Sequence, residues 1–183
     1  MGKECKLTIH MVMSLDGFIA KKDNSIEWFN TISPYEQGID FPDMGDFFKS
    51  IDCYVMGART YELAMELSEK YGWPYGEVPT IVISHNQYEE SRSHIRFYSG
   101  DISTLVDVQL KNQYKNIWLV GGPEVSNQFI TRGLADELRL TILPILLGEG
   151  LSFFNLDKEY LLNLKEVHAY KTGLVELCYQ IRK

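Results

Sequence analysis

The sequence predicts an α/β domain built on a mixed, mostly parallel β-sheet with helices on both of its faces. The first observation is that short apolar segments rich in β-branched and aromatic residues alternate with helical patterns. The second is that the last two strand patterns follow one another directly, joined by Thr172 and Gly173. Because alternating strands and helices are typical of parallel sheets, and a hairpin adds antiparallel strands, we expect a parallel sheet with an antiparallel edge.

The elements follow from local patterns. Strands are predicted over 6–12, 52–56, 80–84, 95–98, 116–120, 137–143, 164–171 and 174–182. Helices are predicted over 60–70, 102–110 and 123–131, where apolar residues recur on one stripe. Pro123 is preorganised for the first position of a helix. The stretch 21–42 has no pattern and is long for a connection in a compact domain, so we interpret it as a lid or substrate-binding loop.

The composition limits the function. The chain has 183 residues, 45% of them hydrophobic, and we expect a single domain over 1–183 that buries a sufficient core without metal or disulfide. The net charge is -7 and the basic residues are scattered, which argues against nucleic-acid binding. No apolar run is long enough to span a membrane and the start does not resemble a signal peptide, so the expected location is the cytoplasm.

The cysteines and histidines give no sign of a metal site. Cys5, Cys53 and Cys178 lie far apart, and we interpret them as reduced thiols, with Cys53 and Cys178 buried. The four histidines lack the spacing of metal ligands. His10 lies in a strand pattern and is interpreted as an ordinary core or surface histidine.

Residues 53–61 form an apolar strand that ends at Gly57 and leads into a helix, an order suited to binding phosphate. A helix N-terminus presents unpaired amide N–H groups, Thr60 adds a hydroxyl, and Arg59 can make a charge-assisted contact. The alternative is an ordinary strand-to-helix turn in which Thr60 caps the helix.

A second turn of this kind follows residues 117–120, where Gly121 and Gly122 precede Pro123. Paired glycines allow a ligand to approach the backbone closely. The turn lacks the third glycine of the GxGxxG fingerprint, and a turn selected for steric reasons is the alternative. Because loops at the carboxyl ends of neighbouring parallel strands converge, the two turns could hold the two halves of one dinucleotide.

The chain resembles the dihydrofolate reductase superfamily, and more narrowly its branch related to the reductase domain of bacterial riboflavin biosynthesis. The resemblance rests on five motifs in order: MSLDGFIA (13–20), VMGARTYE (55–62), VISH (82–85), IWLVGGPEVSNQF (117–129) and ELRLTILPILLGEGLSFF (137–154). It implies a three-layer α/β/α fold with a mixed sheet of about eight strands. It also implies hydride transfer from NADPH to a carbon of a heterocycle or of a ring-opened sugar imine.

The resemblance implies which residues bind each part of NADPH. They are Ala20 at the nicotinamide, Gly57, Arg59 and Thr60 at the phosphates, Ser84 and His85 at the adenosine ribose and its 2′-phosphate, and Gly121, Gly122, Glu124 and Val125 at the pyrophosphate. As in dihydrofolate reductases, a cis peptide bond is expected between Gly121 and Gly122. Ala58 stands where those enzymes commonly have a basic residue, and Arg59 could take over its role at the 2′-phosphate.

A reduced C=N bond needs a proton at nitrogen, so an acid should lie near the substrate. In dihydrofolate reductases the acid lies on a helix one turn before a substrate-stacking phenylalanine, and a threonine from a later strand bonds to it. Asp43 lies four residues before Phe47 and Thr141 matches the threonine, which makes Asp43 the first choice. Asp46 is the second candidate for the acid, in case the helix is shifted relative to that of dihydrofolate reductases. Asp16 is the third candidate. Structural interpretations, a helix N-terminal acid and a turn residue, stay open for Asp43 and Asp16.

Trp28 falls where the family closes a lid over the nicotinamide, so it would shield the substrate from water. The alternative is a surface loop anchored by one aromatic residue.

Three functions stay open. The first is an NADPH-dependent reductase of a pteridine, pyrimidine or related heterocycle. The second is the 5-amino-6-(5-phosphoribosylamino)uracil reductase of riboflavin biosynthesis, with any deaminase on a separate protein. The third is a catalytically silent nucleotide-binding protein of the same fold. The riboflavin-type relatives commonly form homodimers, and the apolar run 142–147 is either part of such an interface or core.

Overall fold

The computed structural model describes residues 5–42, 45–86, 88–89 and 92–183. In this part of the chain the strands are β1 (Lys6–Ser14), β2 (Phe18–Ala20), β3 (Cys53–Gly57), β4 (Thr80–Ile83), β5 (Ile95–Tyr98), β6 (Asn116–Gly121), β7 (Glu137–Leu143), β8 (Leu151–Ser152), β9 (Leu162–Ala169) and β10 (Val175–Ile181). One eight-stranded sheet has the order β5-β4-β3-β6-β1-β7-β10-β9, and β2 pairs with β8 separately. All eight predicted strands are therefore present. The two short strands β2 and β8 were not predicted.

The helices are α1 (Gly45–Ser50), α2 (Ala58–Tyr71), α3 (Ile102–Thr104), α4 (Lys111–Gln113) and α5 (Pro123–Thr131), and Glu27–Asn30 forms a 3₁₀ turn. The helix predicted over 102–110 is present, but its second part, Leu105–Leu110, is a π-helix that joins α3 to α4. The apolar stripe of this helix is buried as predicted.

The strand directions match the predicted mixed sheet. From β5 to β7 in the sheet order the strands are parallel. β10 is antiparallel to both β7 and β9, which confirms the C-terminal hairpin. Gly173 in the hairpin turn has φ +80°, a conformation that favours glycine.

The connections place a crevice between β3 and β6. α2 leads from β3 outward to β4, whereas α5 leads from β6 past β1 to β7. The chain therefore moves in opposite directions from two neighbouring strands. In open α/β sheets, ligands bind at the carboxyl edge beside such a divergence.

Hydrophobic clusters cover the two faces of the sheet. On one face, Phe129 of α5 and the α3–α4 helix pack against β1 and β6. On the other, Phe47 of α1 and Tyr61 of α2 pack with Trp118. The alternation of side chains along β6 explains the division, because Leu119 lies in the first cluster and Trp118 in the second. The helices on both faces give the expected three layers.

The end of the unpatterned stretch 21–42 runs along the C-terminal hairpin. The N–H of Ser33 donates to the carbonyl of Thr172, and the N–H of Ile39 to that of Ala169. Gly38 lies so close to the main chain of Tyr170 that a side chain would not fit there. These bonds are made by the main chain and leave no periodicity in the sequence, so they could not be predicted.

Cys53 and Cys178 are buried free thiols, as expected, and burial raises the pKa of both. Among the described helices, none combines the length and the apolar character that crossing a membrane requires.

Candidate functional site

The two glycine turns meet at the carboxyl edge of the sheet. Met56, at the end of β3, is paired with Gly121 of β6. A Cβ atom on Gly57 would lie 2.9 Å from Cγ2 of Val125, and one on Gly122 would lie 3.4 Å from Oγ1 of Thr60. Side chains at these glycines would therefore fill the space between the turns. The prediction that the two turns share one crevice is confirmed.

Both helices that begin here start without a side-chain cap. Gly57 is the N-cap of the 14-residue α2 and Gly122 that of the 9-residue α5, and neither position has a capping hydrogen bond from a side chain. The first N–H groups, which begin at Ala58 in α2 and at Glu124 in α5 because Pro123 has no N–H, are therefore left for another acceptor. Together with the positive ends of two helix dipoles, they are groups suited to binding anions.

The conformation of the second turn requires glycine. Gly121 has φ +128°, and a Cβ atom there would lie 2.9 Å from Cε of Met11. The peptide bond between Gly121 and Gly122 is cis, as the resemblance implied.

The polar side chains around the crevice are consistent with an anionic ligand. Arg59 and His85 are exposed, and neither forms a hydrogen bond or ion pair with another described residue. The hydroxyl of the buried Ser84 accepts a bond from the N–H of Asn86 and shapes the turn after β4. Glu124 is exposed in the first turn of α5, where only its main-chain N–H can donate to a phosphate. The residues present therefore fit a phosphate-bearing ligand.

Ala20 lies on β2, six residues beyond the end of β1, and is buried. It pairs with Leu151 of β8. The neighbouring Gly150 lies directly against the carbonyl of Ala20, where a side chain would not fit. The small two-stranded sheet therefore holds Ala20 in place.

Asp16 is held by hydrogen bonds rather than free to move. Its carboxylate accepts bonds from the hydroxyl of Ser14 at 2.6 Å and from the N–H groups of Leu147 at 3.1 Å and Gly148 at 2.7 Å. The bond from Ser14, followed by those from the main chain, lowers the pKa of Asp16. The ionised carboxylate ties the β1–β2 turn to the loop after β7. This arrangement favours the structural interpretation, and a catalytic role of Asp16 stays a prediction.

Phe47 and Thr141, both predicted at the substrate, are in contact with the same side chain, His10. The Phe47 ring lies edge-on to the imidazole, with the ring centroids 5.5 Å apart. The hydroxyl of Thr141 lies 3.2 Å from Nε2 of His10. Trp118 stacks on the imidazole at 5.3 Å and also contacts Phe47. One sheet face thus carries an aromatic cluster with a polar centre.

A buried ion pair lies next to this cluster. Nη1 of Arg139 is 2.6 Å from Oε1 of Glu176, and Oε2 of the same carboxylate is 3.9 Å from Nε2 of His10. Burial, followed by the nearby charge of Arg139, lowers the pKa of His10 to about 4. The imidazole is therefore neutral at pH 7.

Comparison with known proteins identifies the family. The model of the RibD C-terminal domain matches residues 5–175. The chain belongs to this family. The match confirms the resemblance to the riboflavin-type branch, and the RibD C-terminal domain family is reductase-like.

The curated relatives cover most of the chain. YyaP of Bacillus subtilis is 32% identical over an alignment of 189 positions that covers 97% of this chain and 95% of that protein. YwjB of the same organism is 29% identical over 163 residues, 88% of this chain and 90% of that protein. Both are uncharacterized proteins.

Solved structures share the fold. A riboflavin biosynthesis protein from Shewanella sp. PV-4 superposes with a TM-score of 0.81 at 22% identity, covering 97% of this chain and 99% of that one. RibD of Acinetobacter baumannii gives 0.65 at 16% identity, covering 98% of this chain and 58% of that one. A pyrimidine reductase-like protein from Corynebacterium diphtheriae gives 0.63 at 16% identity, covering 99% of this chain and 93% of that one.

The proton donor predicted for this RibD-type domain cannot be placed. Asp43 lies outside the described residues. Asp46 belongs to α1, but its side chain is also outside the described part of the chain. Both assignments stay predictions.

Trp28 is buried in the 3₁₀ turn, 5% exposed, and meets Phe29 edge-on with centroids 4.6 Å apart. Its indole Nε1 has no hydrogen-bond partner among the described residues. A buried anchor of the loop is thus present, while its role as a shield stays a prediction.

Sequence reasoning missed His10 and Glu176. The sequence interpretation treated His10 as an ordinary strand histidine, and gave Glu176 no role. One signal was available in the sequence. Side chains alternate between the two faces of a strand, so the polar residues Thr8 and His10 lie on the face of β1 opposite the apolar Leu7 and Ile9. The polar face was visible in the sequence. The sequence did not show that His10 meets Thr141 and Glu176, which lie 131 and 166 positions later.

Proposed function

We propose that this RibD C-terminal-type domain is an NADPH-dependent reductase that transfers hydride to a small pteridine, pyrimidine or related heterocycle. The observation that carries the proposal is the meeting of two glycine-capped helix N-termini at the crevice between β3 and β6. Two adjacent anion sites match the phosphates of a dinucleotide. The family supports the reductase class.

In this mechanism the residues of the chain bind the cofactor, orient the substrate and protonate the reduced substrate. When bound there, NADPH would supply a hydride from its nicotinamide ring. The main-chain N–H groups in the first turns of α2 and α5 would hold the pyrophosphate, Arg59 would pair with the 2′-phosphate, and Ala20 would face the nicotinamide. Ser84 and His85 lie on the adenosine side. Trp28 keeps water away from the reacting ring.

The proton for the reduced nitrogen comes from a carboxyl group. Asp43 is our proposed donor because it precedes Phe47 by one helical turn. Thr141 orients the substrate or the acid through its hydroxyl. Asp46 and Asp16 remain the alternatives.

A second candidate follows from the family itself: reduction of 5-amino-6-(5-phosphoribosylamino)uracil. Such a substrate carries a phosphate and needs a cation in the early loops. Lys22 is engaged with Glu149 at 2.5 Å, which leaves Lys21 as the basic residue there. Both lysines are exposed, and surface lysines are common without a phosphate to bind, so the broader heterocycle reductase remains first.

We expect the protein to bind NADPH more tightly than NADH and to lose this preference in an Arg59→Ala variant. Loss of a charge-assisted contact weakens NADPH binding by about tenfold to a hundredfold and leaves NADH binding nearly unchanged. The measurement is a titration that follows tryptophan fluorescence. Arg132→Ala is the matched control, since Arg132 pairs with the exposed Asp101 at the far end of α5.

The same preparation decides between the open functions. NADPH oxidation with a panel of pteridines and pyrimidines supports the reductase, and oxidation confined to the phosphoribosyl substrate supports the second candidate. Tight NADPH binding without any turnover indicates the silent binding protein. Binding of neither cofactor would contradict the proposal.

We also propose that the chain forms a homodimer through the outer face of β9 and β10. Leu164 and Val167 of β9 are 55% and 53% exposed, and they lie beside Tyr179 and Leu177 of β10 on one face. The run 142–147, predicted to be interface or core, is divided: Leu143 is buried and Leu146 exposed. Contiguous exposed apolar side chains on a sheet are typical of an interface.

A Val167→Glu variant is expected to shift a dimer to monomer in sedimentation equilibrium, because a charge would be buried without a partner. Val108→Glu is the control, at a similarly exposed valine of the π-helix, 62% exposed. A wild-type monomer, or a dimer in both variants, contradicts this interface.

A further inference from the structure

We propose that His10 selects the substrate, with its unpaired Nδ1 accepting a hydrogen bond from an N–H or NH₂ group of a planar nitrogen heterocycle. The inference rests on the proposed function, because it adds a specificity-determining residue to the same site. It identifies the substrate class as heterocycles that carry an amino or lactam N–H on the edge facing His10.

The position of His10 is the first reason. Its ring contacts Phe47 and its Nε2 contacts Thr141, which are the residues assigned to the substrate and its acid. Trp118 stacks on a third side of the imidazole. An aromatic cluster with one polar group at its centre is suited to a flat, partly polar ring.

The second reason is the unpaired nitrogen. His10 is 7% exposed, and its Nδ1 has no hydrogen-bond partner among the described residues. Buried polar atoms are nearly always paired, so an exception calls for an explanation. A ligand that brings a donor would satisfy this nitrogen, whereas one without a donor would leave it unpaired.

The surrounding groups determine which nitrogen carries the proton. The carboxylate of Glu176, held by Arg139, lies 3.9 Å from Nε2, and the Thr141 hydroxyl lies 3.2 Å from the same nitrogen. The nearby negative charge favours the tautomer with its proton on Nε2, and the Thr141 hydroxyl then accepts from this nitrogen. Nδ1 then carries a lone pair and acts as an acceptor. Burial keeps the ring neutral, since it lowers the pKa of His10 to about 4.

A route from the cofactor crevice to His10 would pass over Val12 and Val120. Val12 and Val120 lie on the same face as His10 and Trp118, two residues nearer the carboxyl edge, and both are only partly buried. A ring placed over these valines would have one end near the Gly121–Gly122 turn. Its other end would reach His10 and Phe47.

Two substitutions separate the ring nitrogens. In His10→Gln, the side-chain amide nitrogen can take the place of Nε2 and keep the Thr141 contact, but no acceptor remains at Nδ1. In His10→Asn, the amide oxygen can take the place of Nδ1, while the Thr141 contact is lost. The probe ligands are 2,4-diaminopyrimidine and pyrimidine, which have similar rings but differ in N–H donors. Binding is measured through the fluorescence of Trp118, with and without NADPH.

The expected result is that the wild-type protein prefers 2,4-diaminopyrimidine by about tenfold or more. His10→Gln loses this preference, His10→Asn keeps part of it, and both bind NADPH like the wild type. Long-range ¹⁵N correlation spectra give a second readout, since diaminopyrimidine should shift the Nδ1 resonance of His10. Equal preference in His10→Gln and wild type, or no preference in the wild type, would overturn the inference. Because the titration is also made without NADPH, failure of the cofactor proposal is seen separately.

Discussion

Replacing Gly121 with alanine is expected to remove most NADPH binding and to lower the stability of the fold. Gly121 has φ +128°, a region essentially restricted to glycine, so a Cβ atom costs about 1–3 kcal/mol. The contact with Cε of Met11 at 2.9 Å adds less, because the end of a methionine side chain can move. For a domain of this size, the midpoint of thermal unfolding should fall by about 2–12 °C.

The loss of binding follows from the position of Gly121 in the turn. A displaced turn removes at least one amide donor from the phosphate, which corresponds to about a tenfold to hundredfold loss of affinity. Gly133→Ala is the control, since Gly133 has φ +64° and open space around it, beyond the far end of α5. It should lose stability without losing NADPH affinity. If Gly121→Ala folds and binds NADPH like the wild type, the second glycine turn is not part of the cofactor site.

Replacing Arg139 with methionine is expected to destabilise the protein by about 3 kcal/mol at neutral pH. The side chain of Glu176, 7% exposed, would lose its ion-pair partner and remain buried as an uncompensated charge. Burial alone would lower the pKa of Arg139, but the charge of Glu176, its hydrogen bond to Arg139 and the other nearby negative groups together outweigh burial, and the pKa is raised. The strength of this pairing explains why removing one partner is costly. Thermal unfolding should show a midpoint lower by about 6–12 °C.

The double variant Arg139→Met/Glu176→Met should recover much of this loss, because it removes both charges and fills the space with apolar groups. Lys22→Met is the control for an exposed ion pair. Lys22 and Glu149 are 69% and 68% exposed, so breaking their pair should cost less than about 1 kcal/mol. A single Arg139→Met variant as stable as Lys22→Met would show that water compensates the charge of Glu176.

The sequence by itself determined most of the elements of this protein and their types. The eight strands of the main sheet, the long helices and the C-terminal hairpin were all predicted, because hydrophobic periodicity, Pro123 and Gly173 act over a few neighbouring residues. Both glycine turns were predicted for the same reason. The resemblance to the riboflavin-type reductases added the cis bond at Gly121–Gly122, which spacing alone does not indicate.

Only the tertiary structure decided which residues meet. His10 contacts Thr141 and lies beside Glu176 because β1, β7 and β10 are neighbours in the sheet, although they are far apart in the chain. Asp16 is occupied by the N–H groups of Leu147 and Gly148, and no local pattern could show that. Local sequence fixes backbone conformation and the face on which a side chain lies, whereas a binding site needs groups from distant segments. Their meeting depends on strand order and register, which are set when the whole sheet assembles.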